Sequence, residues 1–283
     1  MDPLYDTHVH VWDPGVLDLP WLKGSPAFDR IFSWQEYLRD AQSLGITEAI
    51  YMEVDAKETS FDAELAVVKD LLNTPGTILR GAVMGGRPGS PDFASWLDVL
   101  AGDPRIRGVR ETLHTPSRPA GRCLDPAYIN GVRLMGERGF TFDACMRVGE
   151  LADAASLAAA CPDTTIVLDH LGNPPISAGV SDSWRRALEA LAAEPNMVGK
   201  MSGLIQNADG ETWSTEDFAP FMECLLEAFG PERVVWGSNW PVCTLKGSLS
   251  RWVATTHEVL QARSEPERAA VLHGNAPRLY GLD

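Results

Sequence analysis

The segment Asp6-Thr7-His8-Val9-His10-Val11-Trp12-Asp13 sets three groups able to bind a metal or move a proton at intervals of two residues. Successive side chains of an extended strand alternate faces, so Asp6, His8 and His10 are expected on one face and Tyr5, Thr7, Val9 and Val11 on the other. Two imidazoles on one face can converge on a single metal ion or a single substrate oxygen. The competing reading is a pair of hydrogen-bonded histidines near a strand end, and the rest of the chain decides between the two.

Further reactive residues follow at the ends of short apolar runs. Glu53 and Asp55 close one run, and Arg110, Glu111 and His114 close another. Asp143 and Arg147 follow at a third, and Val167-Leu168-Asp169-His170-Leu171-Gly172 forms a fourth. Lys200-Met201-Ser202-Gly203 and Trp236-Gly237-Ser238-Asn239-Trp240-Pro241 complete the set. Taken singly, Asp55 or Glu111 reads as a solvated loop residue. His170 precedes a Gly-Asn-Pro-Pro turn, which puts its ring at a strand end opposite His8 and His10. His257 reads as a surface or packing residue and His273 as a packing or capping one. Trp12, Trp21, Trp236 and Trp240 are candidates to wall a pocket, against the commoner role of tryptophan in the core.

The elements that position these groups alternate along the chain. Strands are predicted at 5–11, 48–54, 78–84, 106–110, 141–144, 165–169, 197–201 and 234–237. Helices are predicted at 34–44, 61–72, 127–138, 150–160, 182–193, 216–229 and 249–261, with apolar spacings of three and four such as Leu151, Ala154, Ala155 and Ala158. Asn73-Thr74-Pro75-Gly76, Pro195-Asn196 and Gly230-Pro231 read as stop signals. Eight strands alternating with helices imply a parallel α/β fold, and eight is the number that closes a (β/α)8 barrel. No Gly-x-Gly-x-x-Gly follows an early strand, so a dinucleotide crevice is not indicated. Without repeats or linker-like stretches, residues 1–283 read as one domain. The Pro/Gly-rich segments 13–33, 85–91 and 113–124 read as loops on the rim of the site. In such a barrel chemistry gathers at the carboxyl ends of the strands, where the reactive residues fall.

Composition narrows the partners. A net charge of −15 over 283 residues argues against a nucleic-acid groove or an anionic membrane surface, which leaves a small-molecule substrate. The five cysteines are widely spaced with no Cys-x-x-Cys, so neither a zinc knuckle nor a disulfide framework is expected and a reducing cytoplasm is the default. No apolar run approaches a membrane span, and the first residues lack the pattern of a signal peptide. Oligomeric state is not legible.

Together the His-x-His, Arg107-Gly108-Val109-Arg110, Leu168-Asp169-His170, Lys200-Met201-Ser202-Gly203, Trp236-Gly237-Ser238-Asn239-Trp240-Pro241 and Gly274-Asn275-Ala276-Pro277-Arg278 segments resemble the amidohydrolase superfamily. The resemblance is to its group of sugar-acid and pyrone-dicarboxylate lactonases. It implies a (β/α)8 barrel with His8, His10, His170 and a strand-eight acid around the reaction centre. Metal use varies in that group, so the site is expected either to hold a divalent ion (Zn²⁺ or Mn²⁺), with His8, His10 and Glu53 as ligands, or to work without one. The chain departs from the group at Asn239, where an aspartate ordinarily serves as general base; an amide accepts no proton at neutral pH. The base is then sought in His170, Glu53, Asp143 or a metal-bound hydroxide. The expected reaction is water attack on a lactone derived from a sugar acid, with His170, Asn239 and Lys200 at the centre. Arg110, Arg147, Asp143, His114, Trp240 and Trp21 are expected to contact substrate. The alternatives are a metal-dependent decarboxylase or C–C hydrolase of an aromatic-derived acid, and a non-catalytic ligand-binding barrel.

Overall fold

The computed structural model describes residues 2–282. Eight parallel strands follow one another around the sheet in chain order: β1 (Leu4–Val9), β2 (Ile46–Met52), β3 (Leu79–Gly85), β4 (Ile106–Thr112), β5 (Thr141–Cys145), β6 (Ile166–Leu168), β7 (Met197–Met201) and β8 (Val234–Trp236). Closure between β8 and β1 comes from a Val9–Trp240 bridge, a hydrogen bond from Thr7 Oγ1 to the Trp236 carbonyl (2.7 Å) and one from the Ser238 amide to Asp6 Oδ1 (2.8 Å). The fold is the expected (β/α)8 barrel.

The helices α1 (Trp34–Ala41), α2 (Phe61–Leu72), α3 (Phe93–Leu100), α4 (Pro126–Glu137), α5 (Leu151–Ala160), α6 (Asp182–Ala193), α7 (Thr215–Phe229) and α8 (Leu249–Leu260) wrap the sheet. Polar caps start several of them. The Ser33 side chain accepts from the Glu36 amide, and Ser214 with Asp217 forms a capping box on α7. α3 lies outside the predicted helices. It is only eight residues long and is closely bracketed by Pro91 and Pro104, so its periodicity is too brief to read.

Alternation along the strands sorts side chains into two cores. Ile50, Met52, Val83, Val167, Val198 and Val235 fill the barrel interior with Tyr5, and Ala276 and Tyr280 of the C-terminal helix (Asn275–Leu279) and its cap pack against them. Ala49, Tyr51, Met84, Val109, Phe142 and Leu168 face outward against the helices.

β1 breaks this alternation. Tyr5 and Asp6 pair with Glu48 and Ala49, but Val9 pairs with Tyr51, so three steps on β1 are matched by two on β2. The extra residue is a bulge at Thr7-His8, and it changes which residues face inward. The expectation that Asp6, His8 and His10 share a face is therefore corrected. Asp6 turns outward to accept from Tyr37 Oη on α1 (2.9 Å), while His8 and His10 reach the barrel's polar centre.

Candidate active site

A cavity of about 340 Å³ opens at the carboxyl ends of the strands, within the size range of small-ligand sites. His10, Glu53, Arg110, His170 and Asn239 line its depth, and Trp12, Trp21, Val54 and Val242 supply apolar wall. Thr112, His114, Thr115, Asn173, Gln206 and Asn207 add polar groups.

Asp169 is the hub beneath the cavity. Its Oδ2 accepts from Arg110 Nε at 2.8 Å, and its Oδ1 lies 2.9 Å from Lys200 Nζ and 3.5 Å from His8 Nδ1. Burial works to raise the Asp169 pKa, but the charges of Lys200 and Arg110, with a hydrogen bond from His8, prevail and hold it well below the usual carboxylate range. Lys200 is fully buried; desolvation works against its charge, and Asp143 and Asp169 overcome it. Asp143 in turn accepts from Tyr280 Oη at 2.8 Å. Arg110 also donates to Glu53 Oε1 at 2.9 Å, so one guanidinium ties β4 to the ends of β2 and β6.

Alternation explains most of these positions. On β6 Val167 and Asp169 share the inner face, on β7 Val198 and Lys200 do, and on β5 Asp143 and Cys145 do. His170 would by parity point outward. Instead His170, Leu171 and Asn173 adopt left-handed backbone (φ +57°, +53° and +56°), and this turns the His170 ring into the cavity. Its Nδ1 lies 2.8 Å from Ser202 Oγ. Gly203 makes room for the ring: a Cβ there would stand 2.4 Å from His170 Cγ and Nδ1.

His10 is held by Met52, whose carbonyl oxygen lies 3.0 Å from Nδ1. A carbonyl only accepts, so the ring proton resides on Nδ1. Burial, reinforced by the Arg110 charge, lowers the His10 pKa to about 3, so the ring is neutral and Nε2 bears a lone pair. Nε2 lies 3.2 Å from Asn239 Oδ1; with the ring proton on Nδ1 these are two acceptors, so the amide is assigned with its O and NH₂ exchanged and its NH₂ donates to Nε2. Asn239 also has left-handed backbone, φ +56°.

Of the residues expected to act from the sequence, His10, Trp21, Glu53, Arg110, His114, His170 and Asn239 line the cavity. His8, Asp143 and Lys200 lie buried beneath it. Two expected substrate contacts are corrected. Arg147 donates to Glu150 and to the carbonyls of Thr115 and Arg118, so its guanidinium is spent on the β4–α4 loop. Trp240 is packed against Tyr37 and Phe32 with its Nε1 donating to Asp40 Oδ2 (2.8 Å), outside the cavity. Glu111 is likewise no solvated loop residue: it is fully buried, 3.0 Å from Arg122 and 3.1 Å from Arg118. Asp169 joins the site beside His170 without having been assigned a role of its own; its parity with Val167 is the signal that places it on the inner face. Cys145 is a further site residue that the sequence does not single out. Its Sγ lies 3.1 Å from His114 Nδ1, and although burial raises the thiol's pKa, the His114 and Arg110 charges bring it below the usual value.

Of the three expected metal ligands, His8 falls in a cluster of candidate ligand atoms: His8, Asp169 and His170 bring theirs within 4.8 Å of one another. His10 and Glu53 stand outside this cluster, His10 beside Met52 and Asn239, and the Glu53 carboxylate against Arg110, Thr112 and the Asp55 amide. The trio fits a divalent cation. His8 Nε2 is buried without a hydrogen-bond partner among the described residues, Asp169 offers a carboxylate held ionised beside it, and burial keeps both imidazoles neutral.

Among the described residues no helix is long and apolar enough to cross a membrane. A sequence profile described as Amidohydrolase matches residues 5–282. An L-fucono-1,5-lactonase of Burkholderia multivorans is 30% identical across 98% of this chain and 95% of its own. One from Burkholderia ambifaria is 32% identical across 69% of this chain and 68% of its own. The crystal structure of a Burkholderia multivorans amidohydrolase with bound zinc superposes with a TM-score of 0.88 at 25% identity, covering 99% of this chain and 100% of that one.

Proposed function

This chain belongs to the amidohydrolase family, and we propose that it hydrolyses a lactone derived from a sugar acid, in keeping with the lactonases it is similar to. The observation that carries the reading is the cavity floor, where a neutral imidazole (His10), an amide (Asn239) and a guanidinium (Arg110) converge beside His170. A polyhydroxylated ring with one apolar edge suits walls of Trp12, Trp21, Val54 and Val242 on one hand and Asn173, Gln206, Asn207 and His114 on the other.

Arg110 uses Nε on Asp169 and Nη1 on Glu53, which leaves Nη2 for a ligand oxygen. Directed at the lactone carbonyl, it stabilises the oxyanion that forms on attack. The attacking water takes the place of the Asn239–His10 contact: the amide orients it, and the His10 lone pair at Nε2 receives its proton. His10 has little affinity for a proton in the empty site. Negative charge developing on the carbonyl oxygen raises that affinity during attack. The proton then passes to the ring oxygen as the C–O bond breaks. A lactone leaves through an alkoxide in the same molecule and asks less of the base than an amide does.

His8, Asp169 and His170 would hold a divalent cation, Zn²⁺ or Mn²⁺. When bound, such an ion polarises a carbonyl and lowers the pKa of its water to about 7. The buried Lys200 ammonium beside Asp169 balances the floor's carboxylates. Five cysteines, all free, suit a cytoplasmic setting, and the substrate is a small molecule rather than a nucleic acid or membrane.

The test is hydrolysis of five- and six-membered sugar-acid lactones, followed with a pH indicator against spontaneous opening. The enzyme is used as isolated, after chelation, and with added Zn²⁺ or Mn²⁺. Turnover that disappears in His170→Ala supports the reading; a flat response across the panel overturns it.

A further inference from the structure

His114 and Cys145 form a pair that the reaction as derived above does not use. Cys145 ends β5 on the inner face, and His114 follows β4 and lines the cavity. Their side chains meet at 3.1 Å, Sγ to Nδ1, and Cys145 is wholly buried. His114 Nε2 makes no hydrogen bond among the described residues. We propose that Cys145 fixes the ring of His114 so that Nε2–H is held as a donor into the cavity, where it binds a substrate oxygen remote from the scissile carbonyl.

The argument is one of proton placement. A thiol donates S–H to Nδ1, and the one proton of the neutral ring must then sit on Nε2. If the proton crosses from sulfur to Nδ1, the ring becomes an imidazolium and Nε2 still bears its proton. Both arrangements present the same donor to the cavity. Without the sulfur the ring is free to carry its proton on either nitrogen and to rotate about χ2. Cys145 is then a positioning residue, and His114 the group that touches the ligand. Thr112 and Thr115 flank His114 along the cavity wall, so the donor stands among groups suited to a hydroxylated ligand. The choice of a sugar-acid lactone as that ligand rests on the proposed function; the proton placement does not.

Three variants decide the matter. Cys145→Ala removes the partner, Cys145→Ser keeps a hydroxyl that can donate to Nδ1, and His114→Ala removes the donor. A two-bond ¹H–¹⁵N spectrum of the imidazoles shows which nitrogen carries the proton and needs no turnover. Nε2–H is expected in the wild type and in Cys145→Ser, with mixed tautomers in Cys145→Ala. A wild-type His114 with a bare Nε2 and its only proton on Nδ1, or a Cys145→Ala ring unchanged from the wild type, overturns the proposal even where no lactone is hydrolysed.

With a lactone that is turned over, His114→Ala and Cys145→Ala are expected to raise KM about three- to tenfold with kcat nearly unchanged, the worth of one ordinary hydrogen bond. Cys145→Ser is expected to stay within about twofold. An unchanged KM in His114→Ala, or a loss in Cys145→Ser equal to that in Cys145→Ala, overturns it. A flat lactone panel combined with the expected ring spectrum would sink the lactonase reading and leave the proton placement standing.

Discussion

Arg110 and Asp169 meet at 2.8 Å beneath the cavity with both side chains almost wholly buried. Taking one partner from such a pair leaves an uncompensated charge in the interior, a loss of about 3–5 kcal/mol. Arg110→Gln is therefore expected to lower stability by that order, read in urea unfolding, and to abolish lactone turnover. Arg110→Lys restores a charge but cannot span Asp169 and Glu53 together, so it should recover part of the stability and little of the activity. Full activity in Arg110→Lys would show that the fork is not needed.

Asn239→Asp should impair this enzyme, although aspartate is the residue its relatives would suggest. A carboxylate cannot donate to His10 Nε2 and instead draws a second proton onto the ring, which consumes the lone pair. The expected result is a fall in kcat of about 10²-fold or more near neutrality, the scale of a lost general base. The His10 ring should also titrate in a pH range where the wild type stays neutral. A gain in rate would mean that His10 is not the base.

Gly203→Ala puts a methyl against the His170 ring at a backbone position with φ +71°. A strained backbone of this kind costs about 1–3 kcal/mol. The barrel is expected to fold, since β7 ends before residue 203, with His170 displaced and kcat reduced at least tenfold, a barrier increment of about 1.4 kcal/mol. Wild-type kcat together with lowered stability would separate His170 from the chemistry.

Stability should also depend on Glu64, buried on α2, whose carboxylate accepts from Tyr51 Oη (2.8 Å) and the Val54 amide (3.0 Å). Burial, with Glu53 adding to it, raises its native pKa to about 8, against about 4.3 in an unfolded chain. The folded state thus binds this proton more tightly. The stabilisation is complete below about pH 4.3 and is lost as pH rises through about 8. Glu64→Gln mimics the protonated form, so its Tm relative to wild type should climb between pH 5 and 8.5. A difference that stays constant over that window would place the titration elsewhere.

The barrel was legible because eight short apolar runs alternate with amphipathic segments, and Met197–Met201 and the helices 61–72 and 182–193 match the sequence reading to the residue. The site was legible where parity holds, as at Arg110 and Lys200. It was obscured at β1, where the bulge at Thr7-His8 brings His8 and His10 inward while Asp6 faces the helices; the His170 ring was expected in the site, though the left-handed turn that delivers it was not. Arg147 and Trp240 have side chains of the right kind in the right loops, but which partner such a side chain finds depends on contacts distant in sequence. The Cys145–His114 pair spans two strands and could be found only by laying β4 and β5 side by side.

The Lys200 ammonium bears on how the chain folds. Asp143 and Asp169 come from β5 and β6, and the cation that reconciles them arrives on β7. A sheet running only through β6 would already pair Asp169 with Arg110 of β4, but would hold Asp143 on the same inner face without its cation. The charges of this face are matched only when β7 takes its place, so the sheet's seventh strand carries an electrostatic duty as well as an apolar one.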